Sequence, residues 1–158
     1  MDTLGNLPGH MIRRLHQLAV SAFATETREA GFELTPVQYG SLLTLAQREG
    51  IDQATLAGLV AYDRVTIGGV VSRLESRGYL TREVREEDRR ARLLRLTERG
   101  ESVVQTIKPA VRAAQARILA PLEPEEQEEF MRLLKKVTAG LEGRDTEEME
   151  GDVLNKVG

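Results

Sequence analysis

Apolar residues recur at helical spacing through Met11, Ile12, Leu15, Leu18, Ala19, Ala22 and Phe23. This predicts a helix with one apolar face, ended by Gly31. Residues 1–7 show no such period and read as a loose arm. A second helix opens at Thr35-Pro36-Val37-Gln38, a capping box with proline at the first helical position. Its apolar face is Tyr39, Leu42, Leu43, Leu45 and Ala46, and Gly50 stops it. A short helix follows, with Asp52 as N-cap and Leu56, Leu59 and Val60 turned inward. A turn around Ala61 and Tyr62 then leads to Asp63, a second N-cap. The next helix carries Ile67, Val70, Val71 and Leu74, an i, i+3, i+4, i+7 stripe, and Gly78 closes it.

The period then changes. YLTREV and RLLRLT alternate in part and predict two short strands, joined by the polar connector REEDRRA. Thr97 caps a helix that runs to about Leu119 and that Pro109 should kink or interrupt. A last helix starts near Pro124, with Phe130, Leu133, Leu134 and Val137 on one face. From Arg144 the chain is a polar, acidic tail expected to be mobile. Helix, tight turn, helix and then a hairpin is a winged helix-turn-helix, so the expected fold is mainly α with a two-stranded wing. The first and the last two helices leave apolar faces that need a partner, and a second copy of the chain is the simplest one.

Composition narrows the class. At 158 residues the chain buries a core without staples, and no apolar run of membrane-spanning length occurs. The N-terminus lacks the apolar core of a signal peptide, so a cytoplasmic location is expected. With no cysteine, disulfides, thiolate metal sites and thiol redox sensing are excluded. The net charge of −3 is unevenly spread. Between Arg64 and Arg99 there are ten arginines and no lysine against six acids, a local excess of +4, which leaves −7 on the rest. A basic stretch in an acidic chain is an electrostatic footprint for an anionic partner.

The helix from Asp63 to about Arg77 carries two adjacent glycines. Each costs roughly 0.5–1 kcal/mol relative to alanine in a helix interior. On a helical wheel the apolar stripe spans about 60° either side of Ile67. Val65, Gly69, Ser72 and Ser76 lie opposite, with Thr66 and Arg73 flanking them and Gly68 at the other edge. Surface helices usually turn long charged residues outward; this face is cut down to small ones. In the second helix of a helix-turn-helix, such a face lets the backbone approach the floor of a major groove. Arg64, Val65, Thr66, Gly68, Gly69, Ser72 and Arg73 are the candidate contacts to double-stranded DNA. The competing explanation is that Gly68 and Gly69 make room for another helix of the protein itself.

The segment from Asp88 to Thr97, DRRARLLRLT, fits D-x-R-x-x-x-L-x-L-T, with Gly100 following. This resembles the wing signature of the MarR family of bacterial transcription regulators. The resemblance runs back through LTPVQYGSLLTLA, QATLAGLV and DRVTIGGVVSRLESRGYLTR, and covers roughly residues 10 to 140. It implies a wing braced by an aspartate–arginine pair, which here would be Asp88 and Arg90, leaving Arg89 to contact a groove. The sequence DRR leaves that register open, and either arginine can take the groove role. A minor groove attracts arginine through its negative potential, most strongly where it is narrow. Arg85, Arg92 and Arg95 read as strand-face residues, some of them near phosphates.

The resemblance also implies a homodimer built from the terminal helices, and a repressor released from a near-palindromic operator by a small molecule, often an aromatic carboxylate. Arg14 and His16 flank the apolar arc of the first helix and Tyr39 lies on the inward face of the second, a combination suited to an aromatic acid. The expected layout is a dimerisation helix in 1–33 and a DNA-binding region in 34–100, with its recognition helix at about 63–77 and wing at about 79–97. Dimerisation helices follow in 101–142 and the tail in 143–158. No cofactor, metal or catalytic residue is expected. His10 and His16 are six positions apart and do not share a face, and no phosphate-binding or zinc-protease motif occurs. The alternative to a DNA-binding regulator is a winged helix that pairs with proteins. Such a face should carry aromatic or aliphatic anchors, and this one carries Thr, Gly, Ser and Arg.

Overall fold

The computed structural model describes residues 3–84 and 92–155, with side chains described as far as residue 143. After a short turn of 3-10 helix at Leu4–Asn6, in place of a featureless arm, α1 runs Pro8–Glu29 and α2 Pro36–Gln47. A two-residue strand β1 (Ile51–Asp52) leads into α3 (Gln53–Leu59) and α4 (Arg64–Ser76). The hairpin strands are β2 (Leu80–Val84) and β3 (Arg92–Leu96), followed by α5 (Glu98–Leu119) and α6 (Pro124–Asn155). The fold is therefore mainly α and a winged helix-turn-helix. No single helix among the described residues is long and apolar enough to cross a membrane.

The caps form as the sequence predicts. Thr35 accepts from the Gln38 N–H at 3.2 Å while the Gln38 side chain accepts from the Thr35 N–H at 3.0 Å, closing the capping box. Asp52 accepts from the Thr55 N–H at 2.7 Å and Asp63 from the Thr66 N–H at 2.8 Å. Thr97 accepts from the Gly100 N–H at 3.0 Å and starts α5. Three helix ends share one device, in which two backbone N–H groups reach back to the last free carbonyls. After α1, Phe32 bonds Thr27 and Gly31 bonds Arg28; after α4, Tyr79 bonds Leu74 and Gly78 bonds Glu75. Gly31 and Gly78 take the left-handed position at φ 84° and 73°. After α3, Tyr62 bonds Ala57 and Ala61 bonds Gly58, and Ala61 itself sits at φ 55°. That turn sets α3 and α4 at 109° to each other, the range of a helix-turn-helix.

Residues 1–118 form one compact unit and 119–158 another. The core of the first unit is one cluster. Leu42 and Leu45 of α2, Leu56 of α3, Ile67, Val71 and Leu74 of α4, Leu80 and Leu94 of the hairpin and Ile107 of α5 are all sealed from solvent. Phe23 brings α1 onto it through a tilted contact with the Tyr39 ring, centroids 6.0 Å apart.

The sheet holds three strands, not two. β1 pairs antiparallel with β3, Ile51 opposite Leu94, while β2 pairs with the other edge, Leu80 opposite Leu96. Two residues are too few to give a strand period, so β1 had no signature. Two inward assignments are corrected. Ala46 is exposed at the end of α2, one position past the buried Leu45. Leu59 is exposed because Leu56, Ala57 and Val60 centre the buried arc of α3, which puts Leu59 about 110° from its middle.

Pro109 does not interrupt α5, which continues to Leu119 with Val111 and Ala114 buried beyond the proline. In the second unit, the Gln127 side chain donates to the Leu122 carbonyl at 3.0 Å and Glu126 accepts from the Glu123 N–H at 2.9 Å, fixing the entry to α6. The α6 backbone stays helical to Asn155, well past the end near 142 that the sequence suggested.

The fold makes two opposite demands on small residues. Ala61→Gly should stabilise the protein by about 0.5–1 kcal/mol in urea unfolding, because glycine takes the left-handed turn without strain. Gly100→Ala should destabilise it by about 1–3 kcal/mol despite better helix propensity, because an added Cβ would stand on the Tyr79 carbonyl.

Candidate nucleic-acid interface

α4 has two faces with different fates. Ile67, Val70, Val71 and Leu74 are buried, as the wheel predicts. Opposite them, Val65 is 87% exposed, and Arg64, Thr66, Gly69, Ser72, Arg73 and Ser76 are exposed as well. A valine so bare, on a helix whose other side is sealed, is a surface built to be covered.

The two glycines have different surroundings. A Cβ at Gly69 would meet nothing within 4 Å among the described residues, so none of them explains its absence. A Cβ at Gly68 would come within 3.3 Å of the Gln53 side-chain nitrogen of α3. At Gly68 the neighbour is the movable end of one side chain, and at Gly69 the described residues leave the space open.

Local hydrogen bonds limit what each polar candidate can offer. The Thr66 hydroxyl donates to the second Asp63 oxygen at 2.5 Å. That bond, with the Thr66 N–H, holds the Asp63 carboxyl below the usual carboxylate range. With its proton committed to the cap, Thr66 is left as an acceptor, suited to an exocyclic amine of a base and unsuited to a phosphate oxygen. The Ser72 hydroxyl accepts from Arg82 at 3.0 Å and keeps its own proton to donate.

Pairing also sorts the arginines. Arg82, on β2, donates to Ser72 and forms an ion pair with Glu75 at 3.0 Å, tying the hairpin to α4. Arg95 is held by Glu83 at 2.8 Å and Glu49 at 3.5 Å across the sheet. Arg77 donates to the Glu33 carbonyl at 2.6 Å, and Arg99 lies over the Tyr79 ring at 5.3 Å. Arg64, Arg73 and Arg92 carry no ion pair among the described residues. Arg82 was missed from the sequence because its partners lie on another element, whereas Arg92 and Arg95 stand on β3 as the sequence suggested. Asp88, Arg89 and Arg90, the proposed wing brace and groove contact, lie outside the described residues, as does Arg85.

The ligand candidates do not converge within one chain. Tyr39 is buried against Phe23, and burial pushes its phenol up, an effect opposed in part by the charge of Arg112. Arg14 and His16 are exposed. They precede Phe23 by nine and seven positions, about 14 and 10 Å along the helix. Among the described residues no group of three His, Asp or Glu side chains is placed to hold a metal ion.

A helix-turn-helix with a bare second helix, a hairpin beside it and unpaired arginines at their edges defines the class: a winged-helix DNA-binding protein. The MarR family pattern matches residues 34–91. The transcriptional regulator HosA of Escherichia coli O127:H6 is 31% identical over 134 residues, covering 85% of this chain and 96% of HosA. The PcaV regulator of Streptomyces coelicolor, solved in complex with its natural ligand, is 37% identical with a TM-score of 0.80 over 88% of this chain and 96% of PcaV. BpsR of Bordetella bronchiseptica, whose DNA binding is regulated by 6-hydroxynicotinic acid, is 26% identical with a TM-score of 0.81 over 87% of this chain and 97% of BpsR. The chain belongs to the MarR family of transcriptional regulators, as the wing signature implied.

Position 69 tests the bare face directly. Gly69→Ala should raise stability by about 0.5–1 kcal/mol, as expected for an exposed helix interior. Gly69→Glu should fold and unfold as the parent does but lose DNA binding in fluorescence anisotropy. A Gly69→Glu protein that binds DNA normally would remove α4 from the interface.

Proposed function

We propose that the protein is a homodimeric repressor that sits on a near-palindromic operator in the cytoplasm and leaves it when a small aromatic acid binds. Each copy lays α4 in a major groove and brings its hairpin beside the flanking minor groove. The observation that carries this reading is the α4 face, with Val65 bare, Gly69 uncovered and Arg64 and Arg73 unpaired. A protein-binding face would instead bring aromatic and aliphatic anchors together, and Val65 is the one apolar side chain exposed there.

The dimer is supported by apolar side chains left exposed among the described residues. Met11, Ile12 and Leu18 of α1 are exposed, as are Leu133, Leu134, Val137 and Leu141 of α6. Helices in 1–33 and 101–142 thus serve dimerisation, and residues 34–100 serve DNA. Two-fold symmetry then sets the half-sites about one helical turn apart. The aromatic acid is supported by 6-hydroxynicotinic acid, which regulates DNA binding of BpsR. Arg14, His16 and Tyr39 are the residues assigned to it. They are apart within one copy, so the pocket they form requires the dimer. The acid acts through its differential affinity for the DNA-ready and DNA-unfit states.

Selection from random duplex DNA at about 0.15 M salt should enrich one near-palindrome. Arg73→Ala should then cost about 1–3 kcal/mol on that operator and little on unrelated DNA if Arg73 reads a base. An equal loss on all sequences makes it a phosphate contact. Binding that only tracks salt, with no sequence enriched, would overturn the reading in favour of a protein partner.

A further inference from the structure

The first turn of α4 presents an apolar side chain beside a polar one whose hydrogen-bonding sense is fixed. Val65 is 87% exposed, and Asp63, Arg64 and Thr66 around it are exposed as well. Gly69 follows Val65 by four positions and Thr66 by three, so it is the neighbour of both on the helix surface. A side chain there would crowd the two, and the described residues leave that space open. In a helix-turn-helix the N-terminal residues of the second helix are the ones that meet base edges.

The Asp63 carboxyl decides what Thr66 can read. One of its oxygens accepts from the Thr66 N–H at 2.8 Å and the other from the Thr66 hydroxyl at 2.5 Å. The hydroxyl then has no proton left to offer and presents lone pairs only. The negative charge beside it repels a phosphate oxygen, whereas an amine hydrogen of a base is the donor that this arrangement accepts. Val65 has no polar atom, and the apolar group that a major groove offers is the thymine methyl. Guanine suits neither side chain, because its major-groove edge presents acceptors alone. Cytosine presents an amine but no methyl. The A·T pair presents both, the adenine 6-amino group and the thymine methyl.

We propose that the first turn of α4 selects A·T pairs, the Thr66 hydroxyl accepting from an adenine 6-amino group and Val65 packing on a thymine methyl. The inference rests on the reading of α4 as the helix that meets DNA, and it adds which base pairs that turn requires. Asp63 touches no base and is a positioning residue, since it acts through the proton of Thr66. Arg64 lies about 100° round the helix from Val65, on the flank opposite Thr66. Selection thus comes from the polarity of one hydrogen bond and the bareness of one valine, and not from the arginines.

The test uses the full-length protein and the operator obtained by selection, with affinity read by fluorescence anisotropy. In one half-site each adenine is replaced in turn by purine, which lacks the 6-amino group, and each thymine by uracil, which lacks the methyl. At the pairs under α4, purine should weaken the wild type about fivefold, the loss of one hydrogen bond. Uracil should weaken it about fourfold, the loss of one buried methyl. T66V keeps the side-chain shape and the N–H cap, and it should be indifferent to purine yet still respond to uracil. V65A should do the reverse, and T66S should restore the response to purine. D63N keeps a good N-cap but places an amide donor against the Thr66 hydroxyl, whose proton then turns outward, so the purine penalty should disappear. Urea unfolding checks that each variant folds as the parent does. The proposal is overturned if the wild type is indifferent to both analogues at every A·T pair, or if T66V keeps the purine penalty or V65A the uracil penalty. It is equally overturned if T66V weakens all sequences alike, which would make Thr66 a phosphate contact. In each of these cases an enriched operator still stands, and the DNA-binding reading with it. A selection that enriches no sequence overturns both together.

Discussion

Everything in this molecule depends on the burial of four side chains of α4. Ile67, Val70, Val71 and Leu74 are packed into the core, each transfer contributing roughly 1.5–3 kcal/mol. They fix the rotation of the helix about its axis. Rotation is the functional variable, because a turn of one residue would carry Gly69 and Val65 toward the core and a buried valine into solvent. α2, α3, the hairpin and α5 all contribute to the cluster that receives the stripe. The bare face opposite is a consequence of how firmly the inner face is held.

Around that helix, ion pairs decide which charges are structural. Arg82 and Arg95 are spent on Glu75, Glu83 and Glu49 and hold the hairpin to α4 and to the sheet. Exposed pairs of this kind contribute little stability each. Their effect is positional, since Arg82 joins β2 to the same helix turn that presents Ser72 and Arg73. Among the described residues Arg64, Arg73 and Arg92 carry no ion pair.

The junction of α4, β2 and α5 shows how tightly the hairpin is set. The Tyr79 carbonyl accepts from the Thr97 N–H at 3.1 Å, and the Thr97 hydroxyl donates to the Gly78 carbonyl at 2.7 Å. Gly100 lies directly under that carbonyl, where no side chain fits. The glycine that ends the wing signature is thus a contact residue between α5 and the strand entering the wing. Its role is packing, whereas none of the described residues covers Gly69. Two glycines in recognisable motifs have opposite meanings, and only their surroundings separate them.

Periodicity and capping residues determined the helices, because each depends on neighbours within a few positions. The stripe of α4, the capping box at Thr35, the N-caps at Asp52 and Asp63 and the hairpin strands were legible for that reason. Its outward face was legible too, as the complement of the stripe. Other features depended on which segments meet across long separations in the chain. They include the two-residue strand β1, the exposure of Leu59 and the capture of Ser72 by Arg82. A hydrogen bond or a shared cleft between distant residues leaves no period in the sequence. Tertiary packing alone decided them, and it separated the candidate contacts that are free from those already engaged.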